Sequence, residues 1–161
     1  MIRAIRETDA AACAAIYNPY VLHSVWTMEE APLTAEDFTA RIRKVTAGYP
    51  WLAEEQDGRI LGYAYLSAYR DRAGYRYSAS LSIYVDECCQ GMGVGRRLYE
   101  ALEAQARQQG LRHIIAVITD LNEESRRFHE KHGFVFCGCM PGIAEKLGQP
   151  IGVCHYVKHL T

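Results

Sequence analysis

The chain has 161 residues, of which 18 are basic and 19 acidic, so its formal net charge is -1. This length is typical of one domain with its own core, and we expect residues 1–161 to form a single domain. A nearly neutral chain does not attract phosphate backbones or anionic bilayers, so neither nucleic acid nor a membrane is an expected partner.

The N-terminus and the cysteines indicate a cytoplasmic protein. The first ten residues carry charges at Arg3, Arg6, Glu7 and Asp9, which is not the pattern of a signal peptide or a membrane span. The six cysteines show neither zinc-site spacing nor a disulfide framework. We therefore expect reduced thiols and no metal site.

The first third of the chain predicts a strand and two helices. Residues 2–5 alternate as in a short strand, and an alanine-rich helix follows that is expected to break near Pro19, which has no N–H. Thr34 begins a second helix, where Asp37 stands at the position of a capping box.

The rest of the chain predicts a sheet with helices on both faces. The pair Asp57-Gly58 lies between two apolar runs and predicts a hairpin, because Gly tolerates positive φ. The elements predicted after it are a strand over 80–86, a helix over 94–109, a strand over 111–118, a helix over 122–132, and strands over 134–139 and 152–160. This order predicts an α/β layered fold with a mixed, mostly antiparallel sheet flanked by helices.

A glycine-rich turn, Gln90–Gly95, lies between a predicted strand and an amphipathic helix. The start of a helix exposes unpaired N–H groups, so this turn predicts an anion site. It is not a P-loop, because Arg96 and Arg97 stand where Lys and Ser/Thr are required. It is not a dinucleotide fingerprint either, because Arg96 or Leu98 occupies the place of a small residue.

The turn matches a known family pattern. Gln90, Gly93 and Gly95 fit Q/R-x-x-G-x-G/A, and the sequence FHEKHGF follows Asn122 near the C-terminal end. With these motifs the chain resembles the GNAT superfamily of N-acetyltransferases, and over nearly its whole length it resembles the phosphinothricin and methionine sulfoximine acetyltransferase branch. The resemblance implies a GNAT-like acyl-CoA N-acyltransferase fold, acetyl-CoA as donor, a small-molecule amine as acceptor, and a homodimer.

The resemblance also implies which residues hold the donor. Main-chain groups of the strand before the turn would meet the pantetheine arm, and the turn would hold the pyrophosphate. The implied set is Ile83, Tyr84, Val85, Gln90, Gly91, Met92, Gly93, Val94, Gly95, Arg96, Asn122 and Lys131. Asn122 has an alternative interpretation as a simple helix cap.

Amide formation from an amine requires proton transfer. An amine with a pKa of about 10.4 is almost fully protonated at neutral pH, and deprotonating it costs roughly 4 to 5 kcal/mol. The branch places a histidine at position 129, so His129 is the predicted catalytic residue, as acid to sulfur or base to the amine. The alternative is a helix histidine that only forms hydrogen bonds.

Two departures from the branch concern the acceptor. Ser80 stands where the branch usually has a glutamate that activates the amine, so we expect either that Tyr75, Tyr77 or Glu87 substitutes or that the amine arrives with a lower pKa. Tyr75, Tyr77 and Ser80 are the predicted acceptor-binding residues. The last predicted loop, EKLGQPIGV, keeps Lys146 but lacks the aromatic and acidic residues that usually follow it.

Two other functions remain open at this point. One is a module that binds acetyl-CoA and has lost catalysis, which the serine at position 80 and the reduced last loop suggest. The other is acetylation of protein termini or lysines, which would require a groove open to peptides.

Overall fold

A seven-stranded sheet runs through the computed structural model, which describes residues 1–161. The strands are β1 (Ile2–Ala4), β2 (Trp51–Gln56), β3 (Arg59–Ala68), β4 (Ser78–Val85), β5 (His113–Thr119), β6 (Val135–Lys146) and β7 (Gln149–His159). Their order is β1-β2-β3-β4-β5-β7-β6, and only the β4–β5 pair is parallel. The predicted mixed, mostly antiparallel sheet is confirmed.

Four helices cover the two faces of the sheet: α1 (Ala10–His23), α2 (Ala35–Thr46), α3 (Val94–Gln108) and α4 (Glu123–Lys131). On one face, Phe38 of α2 is fully buried with Trp51 and Tyr63 of the sheet. On the other, Leu98 of α3 is buried with Tyr156. Burying each such large side chain contributes roughly 1.5–3 kcal/mol, so the two cores hold the helices in place. No helix is both long enough and apolar enough to cross a bilayer.

The predicted break at Pro19 is wrong. Helix α1 continues through Pro19 to His23. The proline removes the hydrogen bond to the carbonyl of Ala15. Ala15 lies on the exposed side of the helix, where water can satisfy that carbonyl. The buried residues Ile16, Tyr17 and Val21 on the other side keep the helix packed through this point.

The two predicted local signals in the first half are confirmed. Asp57 and Gly58 have φ of 51° and 78° and join β2 to β3 in a two-residue hairpin turn. Thr34 accepts a hydrogen bond from the Asp37 N–H, and the Asp37 carboxylate accepts one from the Thr34 N–H. This reciprocal pair satisfies two otherwise unpaired donors at the start of α2.

The segment predicted as the last loop is instead a hairpin. Strands β6 and β7 meet at Leu147-Gly148, whose φ values are 52° and 74°. Leucine at positive φ is unusual, and for this reason the turn gave no local signal. Near the hairpin tip, Lys146 is 2% exposed and its ammonium donates to the Thr27 carbonyl at 2.7 Å. The hairpin therefore reaches from the edge of the sheet to the segment after α1.

We predict that Thr34→Ala lowers the free energy of unfolding by about 1 kcal/mol, because the N–H of Asp37 loses its partner. Urea denaturation measures this change. Thr39→Ala is the matched control on the same helix, since its hydroxyl only bonds back to the Ala35 carbonyl, and we expect a change within 0.5 kcal/mol. Equal losses in the two variants would contradict the capping role.

Candidate active site

The two central strands of the sheet separate. Strands β4 and β5 pair only where Ser78–Ser80 face His113–Ile115. Beyond this point β4 continues beside β3 as far as Val85, and β5 continues beside β7 as far as Thr119. The facing edges of the two strands therefore carry backbone N–H and C=O groups with no strand partner.

A cleft of about 490 Å³ opens at this gap. It is lined by β4, β5, the turn before α3, and α4. The predicted residues that line it are Ile83, Tyr84, Val85, Gln90, Gly91, Gly93, Val94, Gly95, Arg96, Asn122, His129 and Lys131. The structure thus brings the predicted donor-binding residues and the predicted catalytic residue into one cavity, with the exception of Met92.

The turn before α3 has the geometry of an anion site. Gly91 and Gly93 both have a backbone φ of 77°, which residues that carry a side chain rarely adopt. A Cβ atom at Gly93 would lie 3.0 Å from the Arg97 guanidinium. The first N–H groups of α3 have no partner within the helix, and the exposed guanidinium of Arg96 adds a positive charge at the cleft.

Contacts of Arg97 hold this turn in place. Met92 is 55% exposed and does not line the cleft, and its carbonyl accepts a hydrogen bond from Arg97 at 3.0 Å. Arg97 also forms an ion pair with the buried Glu54 of β2, with 2.8 Å between the guanidinium and carboxylate atoms. Arg97 therefore fixes the turn to the sheet.

Tyr20 is a residue of this cleft that the sequence analysis missed. Its hydroxyl donates to the Val85 carbonyl at 2.5 Å and accepts from the Gln90 side chain at 2.8 Å. Burial raises the pKa of Tyr20, so the hydroxyl keeps its proton at neutral pH. The predicted helix break at Pro19 concealed it, whereas a continuous helix would have placed Tyr20 three residues after Tyr17 on the side facing the sheet.

Asn122 caps α4, as its alternative interpretation suggested. Its side-chain oxygen accepts a hydrogen bond from the Ser125 N–H at 3.2 Å. Its amide nitrogen forms no hydrogen bond within the chain and lines the cleft with the rest of the residue. The cap therefore leaves a donor available to a ligand.

His129 lies on α4 with only 7% of its surface exposed. Its Nδ1 is 2.6 Å from the Ser125 carbonyl oxygen, so we assign the proton to Nδ1 and an acceptor lone pair to Nε2. Burial is the main cause that lowers the pKa of His129, opposed by the hydrogen bond to Ser125. At neutral pH the ring is therefore uncharged and can accept a proton.

The predicted acceptor-binding residues lie outside the cleft lining. Ser80 is the last paired residue of β4, opposite Ile115, at the point from which the strands diverge. The Tyr77 ring is 4.1 Å from the Arg112 guanidinium, and Tyr75 packs on a neighbouring tyrosine with a 5.6 Å centroid separation. Tyr75 and Tyr77 lie in the exposed segment between β3 and β4, and neither lines the cleft that contains His129.

Two further residues line the cleft. Trp26, in the segment after α1, is 40% exposed and lines the cleft. Glu124, in the first turn of α4, is the one carboxylate in the lining. Their place in the cleft depends on how α1 and α4 pack in the folded chain.

Known proteins share this arrangement. Residues 2–153 match the family model of the acetyltransferase (GNAT) domain. Over 150 residues, covering 92% of this chain and 76% of the relative, the chain is 37% identical to phosphinothricin N-acetyltransferase of Alcaligenes faecalis. Over 149 residues, covering 90% of this chain and 87% of the relative, it is 35% identical to the L-methionine sulfoximine/L-methionine sulfone acetyltransferase of Salmonella typhimurium.

Solved structures have the same fold as this chain. The crystal structure of a phosphinothricin acetyltransferase from Sinorhizobium meliloti, in complex with acetyl-CoA, superimposes with a TM-score of 0.95 at 31% identity, over 99% of this chain and 88% of that chain. The chain therefore belongs to the GNAT acetyltransferase family. The predicted family, fold class and enzyme class, an N-acetyltransferase, are confirmed. Within the family it is similar to the phosphinothricin and methionine sulfoximine acetyltransferases.

We predict that His129 titrates with a midpoint below the ordinary value of 6.5, because burial disfavours the charged ring. Proton NMR of the imidazole measures the midpoint, and His129→Gln identifies the signal. A midpoint at or above 6.5 would show that the cleft stabilises the imidazolium.

The same shift predicts a pH dependence of stability. Below pH 6.5 the unfolded chain binds a proton at this histidine that the folded chain resists, so the free energy of unfolding falls from pH 6.5 down to the folded pKa. His129→Gln should lack this component. The difference between the two proteins in urea denaturation at several pH values isolates it from the other titrating groups.

Proposed function

We propose that this chain transfers the acetyl group of acetyl-CoA to the primary amine of a small molecule, an amino acid or an amino-acid analogue such as phosphinothricin or methionine sulfoximine. The observation that carries the proposal is the gap between β4 and β5, which has an anion site at the turn before α3 and a neutral histidine on α4. The named substrates of the similar proteins support the acceptor class.

The donor fits the cleft by its chemical groups. The pantetheine arm is an extended chain with amide groups, and the free edge of Ile83–Val85 offers backbone donors and acceptors to it. The pyrophosphate is an anion and suits the N-terminus of α3, with Arg96 beside it. Lys131 adds a second cation along the cleft, and the Asn122 amide is a donor toward the thioester end.

The reaction needs a proton acceptor near the amine. The amine nitrogen forms a bond to the thioester carbonyl carbon, and the carbon–sulfur bond breaks. The proton lost by the amine goes to Nε2 of His129 and then to the departing thiolate, so the imidazole returns to its neutral form. A neutral His129 is ready for the first step. No step of this transfer requires a metal ion.

Glu124 is the other candidate for this proton. It is the carboxylate of the cleft lining, whereas position 80 holds a serine at the base of the gap. Glu124 is exposed to solvent and His129 is buried. We favour His129, because a buried acceptor next to the reacting atoms exchanges its proton with them and not with water.

We predict that the purified chain releases thiol from acetyl-CoA in the presence of phosphinothricin, methionine sulfoximine or standard amino acids. His129→Gln should lower kcat by about 10²-fold or more, because the amine loses its proton acceptor. Glu124→Gln is the matched control on the same helix, and we expect a change of a few-fold at most. A large loss in Glu124→Gln with His129→Gln active would transfer the role to Glu124.

The same assay separates the alternative functions. A chain that only binds acetyl-CoA would be stabilised against heat by it and would release no thiol with any amine. A protein acetyltransferase would release thiol with a peptide and not with the amino acids. Thermal stabilisation of His129→Gln by acetyl-CoA, equal to that of the unmodified chain, confirms that only the chemical step is changed.

We further propose that residues 1–161 form one domain that acts as a cytoplasmic homodimer. The homodimer is the assembly that the resemblance to the phosphinothricin and methionine sulfoximine acetyltransferase branch implies. The unpaired state of all six cysteines supports a reducing compartment. Light scattering should give about twice the chain mass of 18.2 kDa, and a mass equal to one chain would contradict the dimer.

A further inference from the structure

Two cysteines face each other across the β6–β7 hairpin. Cys139 of β6 lies directly opposite Cys154 of β7, in a regular stretch where the flanking residues Gly138 and Met140 are also in register. Opposite residues on antiparallel strands have Cα atoms about 4.5 to 5.5 Å apart. Disulfides need about 4.4 to 6.8 Å, so the backbone separation already suits one.

The two side chains also lie on the same side of the hairpin. Directly opposite residues project to the same face of a sheet. Cys139 and Cys154 are opposite each other in the register of the hairpin, so their thiols lie on one face of it, and burial, followed by the neighbouring thiol of Cys139, raises the pKa of Cys154 to about 11. Both are free thiols in this structure.

The two thiols differ in their access to solvent. Cys139 is exposed, and Cys154 has 0% of its surface exposed. A reagent in solution therefore meets Cys139 first and reaches Cys154 only through it. Cys137 is exposed as well, but the register shift between Phe136 and Gly138 leaves it without an opposite residue on β7.

We propose that Cys139 and Cys154 form a reversible disulfide by exchange with a small-molecule disulfide of the glutathione type. The Cys139 thiolate attacks one sulfur of that disulfide, forms a mixed disulfide and releases one thiol. Cys154 then attacks the Cys139 sulfur and releases the second thiol. Two protein thiols are oxidised and one external disulfide is reduced to two thiols, so electrons and protons balance.

The bond would stabilise the chain and leave the cleft intact. Neither cysteine lines the cleft. The bond closes the loop over residues 140–153, which restricts the unfolded chain, and a loop of this length raises Tm by about 5 to 10 °C. The crosslink is therefore a modification that protects the fold when the reducing environment fails.

The test is oxidation of the folded, full-length chain with excess oxidised glutathione, followed by alkylation, mass spectrometry and peptide mapping. We expect the six free thiols to fall by two, with one crosslink that joins the peptides of Cys139 and Cys154. Tm should rise as stated and return after treatment with dithiothreitol. Acetyl transfer should change less than two-fold.

Two variants at exposed positions make the test specific. Cys137→Ser should keep the crosslink and the rise in Tm, whereas Cys139→Ser should lose both. A stable mixed disulfide on Cys139, a bond between Cys137 and Cys139, a bond between two chains, or six unreacted thiols would each overturn the proposal. So would a crosslink to Cys154 that persists in Cys139→Ser.

Discussion

The short parallel pairing of β4 with β5 is the constraint on which the rest of the site depends. Because Ser78–Ser80 are the only β4 residues bonded to β5, the two strands diverge from a fixed point. Beyond that point each strand stays paired with its other neighbour, β4 with β3 and β5 with β7. The unpaired edges face the cleft, so their polar groups are open to solvent or to a ligand. The cavity therefore results from the pairing of the strands, and the side chains only complete its lining.

The side chains that complete the site come from distant parts of the chain. Arg97 joins the turn to Glu54 on β2, and the Tyr20 hydroxyl joins Gln90 to the end of β4. These contacts hold the turn against two different elements, so its N–H groups are oriented before a ligand arrives. A site fixed in this way loses little conformational entropy on binding.

Whether a feature could be predicted from the sequence depends on how far apart along the chain its interacting residues lie. The Asp57-Gly58 hairpin, the Thr34 cap and the glycine turn are determined by residues a few positions apart, and all three are present. The contact between Tyr20 and Val85 spans 65 positions and leaves no local pattern. The turn at Leu147 forms because strand pairing on both sides of it outweighs the local cost of positive φ. Local chemistry thus predicted most of the elements, whereas a cleft residue such as Tyr20 is placed by tertiary packing and could not be predicted.

The buried ammonium of Lys146 limits how far the two halves of the molecule can move apart. It donates to the Thr27 carbonyl at 2.7 Å and approaches the Tyr20 carbonyl at 3.4 Å, so the β6–β7 hairpin is tied to the end of α1. Tyr20 is in turn bonded to the far end of β4. The diverging strands are thus held at their paired end by backbone bonds and at their open end by this bridge. Because the V-shaped gap is supported at both ends, we expect it to keep its width, so that a long flexible ligand enters between two strands whose separation is already set.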